Sequence, residues 1–416
     1  MSKILSGLEK MIYILVPVIG LVFITHSNVE NFGALYLETP DGSLYLSIAE
    51  NFFKNGHFIQ MARPSFEGMV VPFGLPLIIT IIELFCRDIK AVVCVQYIAY
   101  IMTGVYFGRT VSIVVKKVLK NYSSNLLHLV MMVAYGISAC TYMFSRDVIT
   151  YANPAMVLTE VWTNFFIVLF VFFFLNYDFS LGMFITALCI IVIRPAFYPF
   201  LVIAVGKMII EWRKLSRKQR RRIIITTAVF FSVFTINTIN NYIETGDVVF
   251  LENYAGIAIY QANNPSAQTD GYHSGRDLEF VSSDDTRFWD TFNDDKLTCG
   301  EKNDIYNEMA SEYIRTHLKL TIKRAIIRLK YMFWDRWGRY SRIAIIGCVI
   351  AMFSYKNLFA IGISNYLIAF TTSFGLNIDR YSVFIYPFYL LSLFYLISIV
   401  MWICMQFMAG REGLSE

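Results

Sequence analysis

The sequence predicts an all-α polytopic membrane protein, and three observations carry that expectation. Of its 416 residues, 56% are hydrophobic and only 16% charged, against about 45–50% and about 25% in a soluble domain. Apolar runs recur along the chain, approaching the roughly 20 residues that a bilayer span requires. Phe (36) and Tyr (26) are abundant, as expected where aromatic rings anchor helices at the two membrane interfaces.

The elements follow in chain order. Lys3 and Lys10 precede the apolar run Met11–Thr25, which resembles a signal peptide but is followed by no small-residue cleavage site. It reads as an uncleaved first span with a cytoplasmic N-terminus. Further spans are expected at 91–115, 124–144, 157–176, 179–195, 196–210, 223–241, 343–355, 357–374 and 381–408. The segment 72–86 is apolar but short, and it opens with Pro72-Phe73-Gly74-Leu75-Pro76.

Charge decides how to count that segment. Basic residues cluster at the N-terminus, at Lys116, Lys117 and Lys120, and between Arg213 and Arg222. The positive-inside rule places all three clusters in the cytoplasm. The first helix exits, so one further span must return the chain before Lys116. Counting 72–86 as a full span would put Lys116 outside, so it is read as an interfacial or re-entrant helix. The expectation is about ten spans, both termini inside. Residues 26–90, 144–156 and 242–342 then form external loops. The chain divides into an N-terminal module (1–241), a large external loop (242–342) and C-terminal helices (343–416). Between 242 and 320 there are fifteen Asp/Glu against six Lys/Arg, the reverse of the cytoplasmic loops.

Within that loop, Ile305–Trp337 reads as one helix. Tyr313, Ile314, Leu318, Ile322, Ile326, Leu329 and Phe333 share a stripe, with Lys323, Arg324, Arg328 and Lys330 among them. The pattern fits a helix in a headgroup layer, its cations reaching phosphates, and equally a helix packed on the loop domain.

Other classes are not supported. The net charge of +5 is concentrated beside apolar segments, where it reports orientation rather than nucleic acid. The seven Cys, among them Cys94, Cys140, Cys189, Cys348 and Cys404 in apolar stretches and Cys299 in a polar one, form neither CxxC nor zinc spacing. His26, His57, His128, His273 and His317 have no metal-ligand spacing, and Asp284-Asp285 and Asp294-Asp295 read as solvated loop charges. No cofactor is implied. There is no Asp-x-Asp, P-loop, dinucleotide-binding glycine motif, Gly-x-Ser-x-Gly or HExxH.

The first external loop carries the most informative stretch. It runs Glu38-Thr39-Pro40-Asp41-Gly42, continues through Tyr45 and Ala49, and reaches Gly56-His57-Phe58. Pro40 and Asp41 mark a helix start, with Asp41 at or near the N-cap. From this stretch alone a cap and a functional acid are equally good readings of Asp41. Arg194 and Arg380 sit at external ends of spans, where an unpaired charge is costly, and Glu160 sits at another span end.

These residues resemble the GT-C superfamily of glycosyltransferases that use polyprenyl-phosphate sugars, including protein mannosyltransferases and lipid A aminoarabinose transferases. Asp41, Tyr45, Ala49 and Gly56–Phe58 match the acid, Tyr, Ala and Gly-x-Phe of the family's first external loop. Arg63-Pro64 and Pro72–Pro76 resemble its proline-rich approach to an interfacial helix. In order come Thr159-Glu160, Arg194-Pro195, Tyr242–Gly246, Asn253–Gly256, Asn263-Asn264-Pro265, Glu308–Arg315, and Arg380-Tyr381 with Pro387. Each motif is short; their order over nearly the whole chain carries the resemblance. Many relatives have two adjacent acids where this chain has Asp41-Gly42, which weakens any inference of a divalent metal.

The resemblance implies an inverting transfer of a sugar from a polyprenyl-phosphate donor to a glycan, lipid or protein acceptor on the external face. Such an acceptor needs a general base within hydrogen-bond reach, and Asp41 is nominated. The leaving phosphate needs fixed cations, a task suited to the planar guanidinium fork; Arg194, Arg380 and Arg63 are the candidates. Tyr45, Glu160, His57 and Arg146 are candidates for orienting the acceptor or the charged groups. A bacterial inner membrane fits the composition. Two other readings remain. A surface-polysaccharide polymerase or ligase would need loop arginines but not Asp41. A transporter or lipid flippase would bind near the midplane, often between repeated halves, and neither a repeat nor a mid-span acid is evident.

Overall fold

The computed structural model describes residues 2–28, 40–60, 68–120, 124–177, 180–267, 281–330, 338–373 and 383–412. These residues are almost wholly helical. Six helices among them are long and apolar enough to cross a membrane: 89–118, 125–143, 159–176, 195–214, 217–245 and 386–408.

The chain opens with α1 (Ser2–Asn28) and continues, beyond residue 39, into α2 (Pro40–Asn55). Proline occupies the first position of α2, where its fixed φ suits a helix and its missing N–H costs nothing. Asp41 is therefore the second helical residue rather than the cap. After α2 comes a hairpin, β1 (Ile59–Gln60) antiparallel to β2 (Met69–Val70), with Ile59 opposite Val70. Next, α3 (Gly74–Phe85) is apolar but only 12 residues long. At 1.5 Å per residue it reaches about 18 Å, short of the roughly 30 Å hydrocarbon core. Its first residue must be glycine. A Cβ at Gly74 would lie 2.6 Å from the Val192 carbonyl oxygen and from Ile193 Cγ1.

The central helix is α4 (Ile89–Val118). It packs on α1, on α3, on α5 (Ser124–Met143), on α7 (Thr159–Asn176) and on the C-terminal α17 (Tyr386–Glu412). α4 and α7 run parallel, Gln96 meeting Trp162 at one level and Tyr106 meeting Phe172 lower down. Between α5 and α7 lies the short α6 (Arg146–Tyr151), capped by the Ser145 hydroxyl. Buried Gln96 donates to the Pro154 and Met156 carbonyls, pinning that connection to the bundle.

The chain then turns back through α8 (Leu181–Ile193) and, after a 3₁₀ turn at Pro195–Phe197, through α9 (Tyr198–Glu211) to α10 (Arg217–Thr245). A capping box between Ser216 and Gln219 starts α10, and Gly246 ends it with a positive φ of 77°. The two ends of this assembly differ in charge. Lys207 donates to the Phe174 and Tyr177 carbonyls at the end that carries Arg213–Arg222, whereas Glu160 and Arg194 lie at the opposite end.

Residues 246–267 and 281–330 form a cap at that opposite end. α11 (Ala255–Ala262), α12 (Thr286–Asn293) and α13 (Cys299–Thr316) enclose a small core of Tyr260, Val281, Phe288, Tyr306, Met309 and Ala310. Asp285 does not stand free in solvent: it caps α12 and accepts from the Tyr260 hydroxyl. The single helix expected over 305–337 is interrupted. α13 ends at Thr316, and α14 (Leu318–Lys330) follows after His317; Phe333 lies outside the described residues. The faces of α14 also divide the expected cations, because Lys323 and Lys330 are exposed while Arg324 and Arg328 are buried. Helices α15 (Gly338–Ser354) and α16 (Lys356–Ser373) precede α17, and α14 rests on α16.

Candidate functional site

The site is built where two helix ends meet. Leu158 is extended, so α7 begins with Thr159 and Glu160 at its mouth. Arg194 is also extended, with φ −143° and ψ 97°, because the following Pro195 disfavours helical backbone at the residue before it. The helix therefore stops at Ile193, and the guanidinium of Arg194 folds onto the neighbouring helix start. Its Nε and Nη2 donate to Thr159 Oγ1 at 3.0 and 2.7 Å, and Nη2 donates to Glu160 Oε1 at 2.5 Å. The Thr159 hydroxyl is 3.3 Å from Glu160 Oε2. The Glu160 side chain is fully buried while that of Arg194 keeps 16% exposure, so the pair opens on its arginine side. Phe384, ahead of α17, lies under the guanidinium with Cζ 4.7 Å from the ring centroid, within cation–π range.

A second carboxyl approaches from the cap. Burial pushes the Glu252 carboxyl above the usual glutamate range; a hydrogen bond with Tyr254 and the positive charge of Arg194 partly oppose that shift. The adjacent Asn253 is tied to the hairpin, where it acts as an extra strand. Val70 N donates to Asn253 Oδ1 at 2.8 Å, Asn253 N to the Val70 carbonyl at 3.2 Å, and Asn253 Nδ2 to the Gly68 carbonyl at 3.1 Å. Asn241 of α10 adds a bond to the Val249 carbonyl. The segments around residues 70, 159, 194, 252 and 384 thus converge on one end of the bundle.

The other sequence candidates distribute around this centre. Asp41 is half-buried in the first turn of α2, and its neighbour Gly42 is buried, so a second acid at position 42 would be desolvated. α2 lies against α3, and α3 starts on the end of α8; the helices bearing Asp41 and Arg194 share α3 as neighbour. Tyr45 is part-buried against the main core. His57 is buried in the turn after α2, its Nδ1 3.0 Å from Asn51 Nδ2 and its Nε2 3.5 Å from Glu244 Oε2 of α10. Arg146 is exposed at the start of α6. Arg63 and Arg380 lie outside the described residues. Of the candidates, then, Arg194 and Glu160 are in direct contact.

Glu252 and Phe384 were not among the residues expected from sequence. Phe384 is one aromatic among many. Glu252 carries one legible cue, a lone acid closing the apolar run Val248–Leu251. No protein-family model, curated protein or solved structure matches the chain.

Proposed function

We propose that the protein is a membrane glycosyltransferase that moves a sugar from a polyprenyl-phosphate donor to a glycan, lipid or protein acceptor on the extracytoplasmic face. The observation that carries this reading is the Thr159–Glu160–Arg194 cluster. It fixes a guanidinium at the mouth of two apolar helices, at the end of the bundle opposite the basic residues Arg213–Arg222. A lipid-anchored phosphate would be presented at that depth, and a pre-oriented arginine stabilises the charge that develops as the sugar leaves. The leaving group is already a phosphate, so it needs this charge more than it needs a proton.

In this reading Asp41 takes the acceptor proton as general base, with the sugar carbon attacked from the face opposite the phosphate and inverted. Tyr45, His57 and Arg146 orient the acceptor or the loop that carries Asp41, and Arg63 and Arg380 add to the phosphate site. The ten apolar segments serve as spans, with α3 at the interface, both termini cytoplasmic and the cap outside a bacterial plasma membrane.

The test is turnover of a panel of polyprenyl-phosphate sugars by purified wild type and Asp41→Asn. Asn matches Asp in size and still suits a helix start, so the fold is expected to survive. A general base contributes about 10²–10⁴-fold, and a loss of that size in a folded variant is the expected result. Full activity in Asp41→Asn would remove Asp41 from the chemistry, and absence of wild-type turnover with every donor would remove the transferase reading.

A further inference from the structure

Cys299, Lys302 and Tyr306 stand three and four residues apart on one face of α13, and with Tyr254, Phe292 and Asn303 they line a half-open cavity of about 20 Å³. About 10–15 Å³ holds one water, so the space suits a small terminal group rather than a sugar ring. Tyr254 joins this cavity to the candidate site, because it also hydrogen-bonds the Glu252 carboxyl, which feels the charge of Arg194. Asn303 Oδ1 accepts from Gly256 N at 2.7 Å and fixes one wall.

The groups facing the cavity are short of partners. Lys302 is 6% exposed, and its Nζ donates to the Phe292 carbonyl at 3.1 Å. That carbonyl lies in the last turn of α12, and a helix C-terminus carries only about half a negative charge. Among the described residues no carboxylate lies within ion-pair distance of Lys302. Burial, helped by Asp247, pushes the Cys299 thiol up to about 11 against the opposing charge of Lys302. The thiol therefore stays protonated at neutral pH and supplies no counter-ion. Asp247 itself is engaged by the Thr298 hydroxyl at 3.4 Å and lies against Gly300. Tyr306 is 3% exposed, and its hydroxyl has no hydrogen-bond partner. A buried ammonium without an opposite charge is costly, and an unpaired buried hydroxyl adds to that cost. A small anion with oxygens for both donors answers the two needs at once.

We propose that this cavity is an acceptor subsite in which Lys302 and Tyr306 bind a carboxylate, so that the acceptor is a sugar or glycan of the uronic acid class. That the ligand is the acceptor rests on the transferase reading; that it carries a carboxylate rests on the cavity alone. With the carboxylate seated, the sugar that bears it lies along the open side by Tyr254, next to Glu252. The rings of Tyr254 and Phe292 supply apolar walls, and a few convergent polar groups fix the orientation.

The test titrates the full-length protein, in phosphatidylcholine nanodiscs at constant ionic strength, with methyl glucuronoside and methyl glucoside. The readout is the thermal unfolding midpoint, since a ligand that binds only the folded state raises it. The probes differ at one position, where the glucuronoside carries a carboxylate. The glucuronoside is expected to act at a concentration lower by about tenfold or more, the worth of one charge-assisted hydrogen bond. Lys302→Met is expected to abolish that difference, and Tyr306→Phe to reduce it less. Should Lys302→Met fail to fold, the wild type carries its own reporter. The glucuronoside should slow labelling of Cys299 by a methanethiosulfonate reagent, read by peptide mass, with the same half-saturating concentration. Equal stabilisation by both probes, an undiminished difference in Lys302→Met, or stabilisation without protection of Cys299 would overturn the subsite. Glucuronoside binding by a protein that turns over no polyprenyl-phosphate sugar would keep the carboxylate site and remove the transferase reading. Turnover with no preference for the glucuronoside would do the reverse.

Discussion

Arg194 owes its position to one covalent fact, the proline that follows it, and its state to one partner, the buried Glu160. Removing half of a buried ion pair leaves the other charge uncompensated, at a cost of 3–5 kcal/mol in typical cases. Because Arg194 keeps 16% exposure, Glu160→Gln is expected to destabilise by about 3 kcal/mol, the low end of that range. The double variant Glu160→Gln with Arg194→Met should be more stable than Glu160→Gln alone, measured as unfolding midpoints in one detergent. Equal midpoints would mean that the pair is not coupled. Glu252 gives a pH-dependent counterpart. Its folded carboxyl titrates above the unfolded range, so its contribution is full below about 4.3 and is lost as pH rises through the folded value. Glu252→Gln stays neutral throughout. Wild type should therefore lose stability relative to Glu252→Gln as pH is raised from about 4, and parallel curves would show that Glu252 is solvated. Sequence logic could nominate Glu160 and Arg194, because a charge ending an apolar run must find a partner. It could not nominate Glu252, whose burial is created by a loop folding back over it.

At the scale of elements, what sequence could read was set by length and periodicity. Most of the apolar segments are long, and each falls on a helix; the hairpin is two residues per strand, too short for an alternating pattern to register. Yet that hairpin, through Asn253, is what docks the cap onto the first loop. Asn253→Ala removes two side-chain hydrogen bonds and orphans the buried Val70 N–H, which should cost about 2–3 kcal/mol at 1–3 kcal/mol per unsatisfied buried group. If the docking positions Glu252 by Arg194, the same variant also loses the pH dependence that distinguishes wild type from Glu252→Gln. Retention of that dependence would show that Glu252 is held by its own contacts. The α14 stripe illustrates a different limit. Spacing identified a two-faced helix, but nothing in a spacing says which face is covered, and here the arginines lie inside while three aliphatic residues lie out.

For the molecule as a whole, the proposed topology, in which α1 and α4 both cross the membrane, turns on the parity of one helix. α3 follows α1 and precedes α4, so whether it crosses decides whether the N-terminus and the Lys116–Lys117 end of α4 share a side. Two physical arguments say that it does not cross. Its 12 residues reach about 18 Å against a core of roughly 30 Å. Crossing would also place Lys116, Lys117 and Lys120 on the side opposite the N-terminal lysines, against the distribution of positive charge that orients helices. Single cysteines at position 7, where a Cβ meets nothing within 4 Å, and at exposed Lys117 would test this. The exposed native thiols Cys86, Cys94 and Cys404 are first replaced by Ala. A membrane-impermeant maleimide applied to sealed, right-side-out cells should label neither Gly7→Cys nor Lys117→Cys, and should label both once the membrane is permeabilised. Ser283→Cys, exposed in the cap, should label before permeabilisation. Labelling of Lys117→Cys alone among the first two would make α3 a full span, invert every later element, and move the Arg194 cluster to the cytoplasmic side. The reaction proposed for it would then lose its compartment, so this labelling result precedes any assay of turnover in deciding where the chemistry can occur.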